Sequence, residues 1–415
     1  MNSLPNDFGR VAVIHDWLYV YGGAERVLRS ILRVIPKADV FTLFDVMSPA
    51  DRARIGYERA HTSFLQALPG IGQRHRLYLP LMPLAIEQFD LTGYDLVISS
   101  SYAVAKGVLT GPDQLHLSYV HSPMRYAWDL QHQYLAESGY RRGLKGAAAR
   151  MLLHRMRVWD HRTAPGVDAY AANSAFIARR IRKAYGRNAE VLYPPVSVPA
   201  QMPHQSPDQT PGQILGQVPG QVLGARESGH FLTASRLVPY KNVRAVVEAF
   251  AALPDQRLVV AGKDPELERL RALAGPNVEI RGFVPDAELA SLMAGAAAFV
   301  YAAEEDFGIV TAEAQAHGAP VIALGRGGAC EIVQTRGPAR TGLFFDEPTP
   351  DKIAAAVRTF LANPGAFSRS DCHANAQRFS EQRFEQGFRQ FLQTHWAHHT
   401  ERLRLGLPPV LAAVA

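Results

Sequence analysis

The chain has 415 residues, 47% hydrophobic and 20% charged, and 44 Lys and Arg stand against 38 Asp and Glu for a net charge of +6. That length exceeds what one ordinary core holds, so two or three domains are expected, and the composition excludes a disordered or fibrous chain. The positive excess is diffuse and accompanies no aromatic-studded basic stripe, so nucleic acid is not an expected partner.

The opening MNSLPNDFGRVAVIHDW has no basic start ahead of a long apolar core, and so does not read as a secretory signal. No apolar run approaches the ~20 residues needed to span a bilayer. A cytoplasmic protein, at most attached to the cytoplasmic face of the inner membrane, is the expectation. Cys330 and Cys372 form no CxxC or zinc spacing, which fits a reducing compartment.

Short apolar runs alternate with helix-period segments, the pattern of an α/β protein with parallel sheets. Arg10–His15 predicts a first buried strand, and Gly22–Gly23 opens the helix AERVLRSILRVI. Further strands are predicted at Val40–Phe44, Asp95–Ser99, Leu115–Val120, Asp168–Ala172 and Glu190–Leu192, with Asn173–Ser174 capping the helix AFIARRIRKAY. From 198 to 229 the composition shifts to Gln, Pro and Gly, with the near-duplicates PGQILG and PGQVLG, and this segment reads as a flexible insert or linker. The alternation then restarts, with strands at Phe231–Ser235, Leu258–Ala261, Val278–Arg281, Ala298–Tyr301 and Val321–Leu324, and helix from Asp371 to Arg404. The division expected is 1–197, the insert 198–229, 230–380, and a terminal helix in 381–415. Two α/β domains imply a cleft between them, where ligands usually bind.

The most informative segment is EEDFGIVTAEAQAHGAPVIAL, residues 304–324, in which seven residues separate Glu305 from Glu313. Phe307, Gly308 and Ile309 predict a turn whose main-chain N–H groups point out at a helix start, a site for a diphosphate. Glu313 falls one turn into that helix and Glu305 in the loop before it, so both carboxylates can meet hydroxyls of one ligand. The second segment is TASRLVPYKN, residues 233–242, which sets Arg236 and Lys241 at the end of a strand, suited to neutralising a diphosphate leaving group.

Together these segments resemble the donor half of glycosyltransferase family 4. In the first domain HDWLYVYGGAERVL resembles that family's Gly-rich loop, YVHSPMRYAWD the segment carrying its active-site histidine, and NSAFIARRI and EVLYPPV the end of its acceptor domain. The resemblance covers roughly residues 10–200 and 230–380. It implies the GT-B fold: two facing Rossmann-like domains with parallel sheets, an interdomain cleft, and a C-terminal helix that crosses back. It further implies that Arg236 and Lys241 hold the donor phosphates, that Glu305 touches the transferred sugar and Glu313 the ribose, and that Gly22 and Gly23 approach the diphosphate as the cleft closes. His121 would contact the sugar near the reacting carbon. His15, with Asp16, is placed on the acceptor side, the alternative for His15 being a core histidine. The insert has no counterpart in the family pattern.

The family implies retention of anomeric configuration. No Asp or Glu stands out as a double-displacement nucleophile, so a front-face substitution is expected, in which the leaving diphosphate takes the acceptor's proton. The sequence contains no Asp-X-Asp, so no metal or other cofactor is expected. The first-domain segments look most like bacterial mannosyltransferases of O-antigen or exopolysaccharide synthesis, which suggests GDP-mannose as donor, with a UDP-hexose as the competing reading. The expected acceptor is polyprenyl-diphosphate-linked or a saccharide. Residues 141–162 carry seven Lys and Arg among interleaved apolar positions; they read either as a basic amphipathic helix on an anionic membrane or as a packed helix with a solvated basic face. A nicotinamide-dependent dehydrogenase would need G-x-G-x-x-G after the first strand, where HDWLYVYGGAER stands instead. A sugar-nucleotide epimerase of the same fold stays open as a rival.

Overall fold

A computed structural model of the chain describes residues 8–201, 229–263 and 265–406. The chain divides into two compact units: residues up to Pro195 together with those from Glu381 onward, and Val196–Ser380. Most of the predicted insert, 202–228, lies outside the described residues.

The first unit is built on seven parallel strands: β1 (Val11–His15), β2 (Asp39–Thr42), β3 (His61–Thr62), β4 (Leu96–Ser101), β5 (Leu115–Val120), β6 (Ala169–Ala172) and β7 (Glu190–Val191). Their order across the sheet is β3-β2-β1-β4-β5-β6-β7. Every residue of β1, β4 and β5 is buried, as expected of central parallel strands covered on both faces. Register sets His15 opposite Ser100, and Ser100 opposite Tyr119, so the strand ends bring His15, Ser100 and His121 together. The helices that matter here are α1 (Gly23–Val34), α2 (Gly143–Thr163) and α3 (Ala175–Tyr185).

Helix α2 is fastened to the strand ends by a buried ion pair. Lys106, in the turn after β4, places its Nζ 2.9 Å from Asp160 Oδ1 on α2 and donates to Asp160 O (2.7 Å) and Thr163 Oγ1 (2.8 Å). Trp128 Nε1 (2.7 Å) and Tyr185 Oη (3.1 Å) donate to the same carboxylate. Burial pulls the Lys106 ammonium below its usual pKa, opposed by Asp160. Four hydrogen-bond donors and acceptors besides the pair itself, from Asp160 O, Thr163, Trp128 and Tyr185, offset the cost of burying it.

The second unit has six parallel strands, β8 (Phe231–Ala234), β9 (Leu258–Ala261), β10 (Val278–Gly282), β11 (Ala298–Tyr301), β12 (Val321–Leu324) and β13 (Gly342–Phe345), in the order β10-β9-β8-β11-β12-β13. Its helices include α4 (Val243–Ala251), α5 (Ile309–Ala316), α6 (Pro350–Ala362) and α7 (Arg369–Ala376).

The single terminal helix read between Asp371 and Arg404 is two helices. After α7 the chain turns at Ser380 (φ −59, ψ 153) and continues as α8 (Glu381–Leu405), which belongs to the first unit. Ser380 is drawn out of helix by a bridge to Val196, whose N–H donates to Phe379 O at 2.8 Å. Phe384, Phe388, Phe391 and Leu392 of α8 complete the core containing Val27, Leu28 and Ile31 of α1, and Arg29 and Arg33 of α1 pair with Glu381.

Candidate functional site

In both sheets the strand order reverses beside one central strand, between β1 and β4 in the first unit and between β8 and β11 in the second. The carboxyl ends of strands at such a switch point form a crevice where α/β proteins take ligands. The residues singled out in the sequence gather at these two places, each within its own unit.

In the second unit Arg236 is exposed just beyond β8. The ends of β8 and β9 approach so closely that a Cβ on Gly262 (φ 153) would lie 2.0 Å from Ser235 O. Lys241 ends a 3-10 turn (Pro239–Lys241) and Asn242 follows in the left-handed region at φ 54, a conformation Asn tolerates better than most residues. Its Nδ2 donates to Ala302 O at 2.9 Å, tying this turn to the loop after β11. Lys241 Nζ consequently sits 3.0 Å from Tyr301 Oη and pairs with the Glu305 carboxylate. Burial opposes the ammonium charge, but the neighbouring carboxylate outweighs it and holds the Lys241 pKa above its usual value.

Glu305 leads into the turn that starts α5. Gly308 caps that helix at φ 90, and Thr311 Oγ1 donates to Gly308 O at 2.7 Å. The first-turn amides of a helix have no partner within it and present partial positive charge. Ile309 and Glu313 stand four residues apart on α5 and share a face. Phe307 serves this turn through its main chain, because its ring is buried edge-on against Phe379 with centroids 5.3 Å apart. The turn rests on two glycines the sequence reading did not single out. Gly328 N–H donates to Glu305 O at 2.8 Å. A Cβ on Gly327 (φ 66) would lie 2.4 Å from Glu305 O, and one on Gly328 2.3 Å from Phe307 Cα. The signal was present as GRGG after an apolar strand.

In the first unit one expectation is corrected and one open alternative is decided. Asp16, expected on the acceptor side, is fully buried and spends its carboxylate on the main chain: Oδ2 accepts from Tyr102 (2.6 Å) and Ala103 (3.0 Å), Oδ1 from Val104 (2.6 Å) and Ala105 (2.8 Å). Burial raises its pKa against the opposing pull of the Tyr102, Val104 and Ala105 amides and of His15. Its work is to shape the loop after β4. His15 is likewise fully buried, the core alternative for this residue, with Nδ1 3.1 Å from Ser100 Oγ and Nε2 3.5 Å from Glu25 Oε1.

His121 is only partly buried. Its Nε2 lies 2.8 Å from the same Ser100 Oγ, and desolvation, with a smaller contribution from His15, pushes its pKa down to about 3, so the ring is neutral at physiological pH. Gly23 opens α1, exposed, and Gly22 precedes it with ordinary extended dihedrals. Gly22 N–H donates to Glu25 Oε2 at 2.9 Å, half of a capping box. A Cβ on Gly22 would press on that oxygen at 3.2 Å, which accounts for glycine there without any need for positive φ. Ser100 and Glu25 were missed by sequence reasoning, one hidden in the serine run of β4 and the other in an amphipathic helix.

Comparison with known proteins gives the family. Residues 21–198 match the family model Glycosyltransferase Family 4, and residues 222–379 match Glycosyl transferases group 1. A GDP-mannose-dependent alpha-(1-6)-phosphatidylinositol monomannoside mannosyltransferase from Mycobacterium tuberculosis is 31% identical over 217 residues, 48% of this chain and 54% of that protein. The monoacylated-substrate enzyme of the same kind from Corynebacterium glutamicum is 34% identical over 145 residues, 31% of this chain and 37% of that one. The matches thus span about half or less of these relatives. Two solved structures share the fold across nearly the whole chain. Anabaena Alr3699/HepE in complex with UDP has TM-score 0.65 and 20% identity, covering 93% of this chain and 100% of that one. Sucrose-phosphate synthase from Thermosynechococcus elongatus has TM-score 0.66 and 17% identity, covering 94% and 100%.

Proposed function

The chain belongs to glycosyltransferase family 4, with the GT-B fold, and from that premise we propose that it transfers mannose from GDP-mannose, with retention and without a metal ion, to a lipid-linked or saccharide acceptor in bacterial surface polysaccharide synthesis. The observation that carries this reading is the second unit's switch point. There Lys241, beyond β8, pairs with Glu305 at the head of the Glu305–Ile309 turn beyond β11, and Arg236 is exposed just after β8. Arg236, Lys241 and the α5 amides stabilise charge growing on the leaving diphosphate, Glu305 orients Lys241 and meets sugar hydroxyls, and Glu313 takes the ribose. Neutral His121 contacts the sugar. The donor assignment is supported by the GDP-mannose dependence of the curated relatives.

A lipid-linked acceptor is supported by α2. Leu144, Met151 and Val158 stand on one face at seven-residue spacing and are 91%, 58% and 56% exposed, while Leu153, Met156 and Asp160 face the core. Arg141, Arg142, Lys145, Arg150, Arg155 and Arg162 are exposed around that face. One helix thus both packs inward and offers a basic, apolar surface to an anionic bilayer. No helix among the described residues is long and apolar enough to cross a membrane.

Thermal unfolding with GDP-mannose, GDP-fucose, UDP-glucose, UDP-galactose and UDP-glucuronate tests the donor. A ligand at 100 times its Kd stabilises by about 2.7 kcal/mol. Selective stabilisation by GDP-mannose is expected. Selective stabilisation by a UDP-sugar would overturn the donor, and no response to any nucleotide-sugar would overturn the enzyme. Chelator-sensitive transfer would remove metal independence, and an inverted product anomer would remove retention.

A further inference from the structure

Behind His121 stand three buried polar side chains, Ser100 and His15 joined by hydrogen bonds and Glu25 facing His15 across a charge contact. Glu25 Oε1 faces His15 Nε2 at 3.5 Å, His15 Nδ1 meets Ser100 Oγ at 3.1 Å, and Ser100 Oγ meets His121 Nε2 at 2.8 Å. We propose that Glu25, His15 and Ser100 are positioning residues that fix the tautomer of His121, holding its proton on Nε2 and leaving its Nδ1 as an acceptor for a sugar hydroxyl. This rests on the reading of His121 as a sugar contact.

Counting protons gives the direction. A carboxylate can only accept, and Glu25 Oε2 already accepts from Gly22 N–H. The carboxylate 3.5 Å from Nε2 favours the His15 tautomer with its N–H on that side, which presents a bare Nδ1 to Ser100. The single hydroxyl proton of Ser100 goes to that nitrogen, so its oxygen is left to accept, and the donor to it is His121 Nε2–H. Full burial of His15 and Ser100 keeps water from breaking the sequence.

The geometry leaves His121 little freedom of its own. Its N–H donates to Ser101 O at 2.8 Å and its carbonyl accepts from Asn173 Nδ2 at 2.9 Å. Its ring stands edge-on to Tyr119 and Tyr102 at centroid distances of 5.2 and 5.8 Å. Backbone and ring plane are thus set by neighbours that say nothing about the proton. Only Ser100 is within hydrogen-bond reach of a ring nitrogen of His121 among the described residues, and no described side chain takes Nδ1.

Two-bond 1H–15N spectra of the histidine-labelled full chain test this, with His121 assigned by its loss in His121→Ala. The wild type is expected to show His121 protonated at Nε2. In Glu25→Gln the carboxamide keeps an acceptor for Gly22 but can donate to His15, so His121 is expected to shift toward the Nδ1–H form from two links away. Ser100→Ala should abolish the preference, with kcat/KM about tenfold lower in both variants, the worth of one hydrogen bond. A wild-type His121 protonated at Nδ1, or a tautomer unmoved in Glu25→Gln, overturns the proposal. A wild-type chain that transfers no sugar would sink the glycosyltransferase reading and leave the tautomer result standing.

Discussion

Asp160→Ala should be among the most damaging single exchanges in the first unit. It strips the buried Lys106 ammonium of its counter-charge, leaving only Asp160 O and Thr163 Oγ1, and orphans Trp128 Nε1 and Tyr185 Oη together. Breaking a buried pair from one side costs about 3–5 kcal/mol, a large share of the ~5–15 kcal/mol that holds a domain folded. At roughly 2–4 °C per kcal/mol for a unit of this size, the midpoint should fall by about 10 °C. All four tryptophans, Trp17, Trp128, Trp159 and Trp396, lie in the first unit, so tryptophan fluorescence during urea or thermal unfolding reports that unit alone. Lys106→Met added to Asp160→Ala removes the unpaired charge and should restore part of the loss. A single variant costing under about 1 kcal/mol, or a double variant worse than the sum of its singles, would refute the reasoning.

Acid should weaken the same unit. Burial lowers His116 from 6.5 to about 4 while it bonds Ser99 Oγ. Below pH 6.5 the unfolded chain binds a proton the folded one refuses, so stability falls as pH drops toward 4. By pH 5 this one ring costs about 2 kcal/mol, and His116→Gln should flatten the pH dependence of urea unfolding by that amount, an unchanged slope counting against it. Gly327→Ala forces a Cβ onto Glu305 O and should weaken nucleotide-sugar binding about tenfold, by displacing the turn it supports, while leaving the tryptophan transition alone; a wild-type ligand-induced shift would refute this. Replacing Leu144, Met151 and Val158 together by Glu removes ~1 kcal/mol of apolar burial per side chain. Sedimentation with anionic vesicles should weaken about a hundredfold, and unaltered sedimentation would dismiss α2 as the docking face.

The strands were legible because central parallel strands are continuous apolar runs, as in VAVIH and FLTA. Arg236, Lys241 and Glu305 were legible because charged residues at the ends of such runs have few structural reasons to be there. What escaped is what depends on partners distant in sequence. Ser100 looks like any small residue in a buried strand until register sets it between two histidines. Asp16 looks like a site acid until the loop after β4 folds over it. The break at Ser380 carries one local signal, a serine ahead of Glu381 where a helix can start, but its bridge to Val196 pairs residues far apart in sequence. β3 is two exposed residues with no periodicity to read.

That same pairing at Val196 and Ser380 has a consequence for how the polypeptide comes off the ribosome. The internal unit has its two ends already side by side and owns all of its strands, so it can close as soon as it emerges. The unit that begins first must wait, because Phe384, Phe388, Phe391 and Leu392 fill its core from the far side of the insertion. A nascent chain stalled before α8 would therefore lack the four side chains that complete this part of the first unit's core.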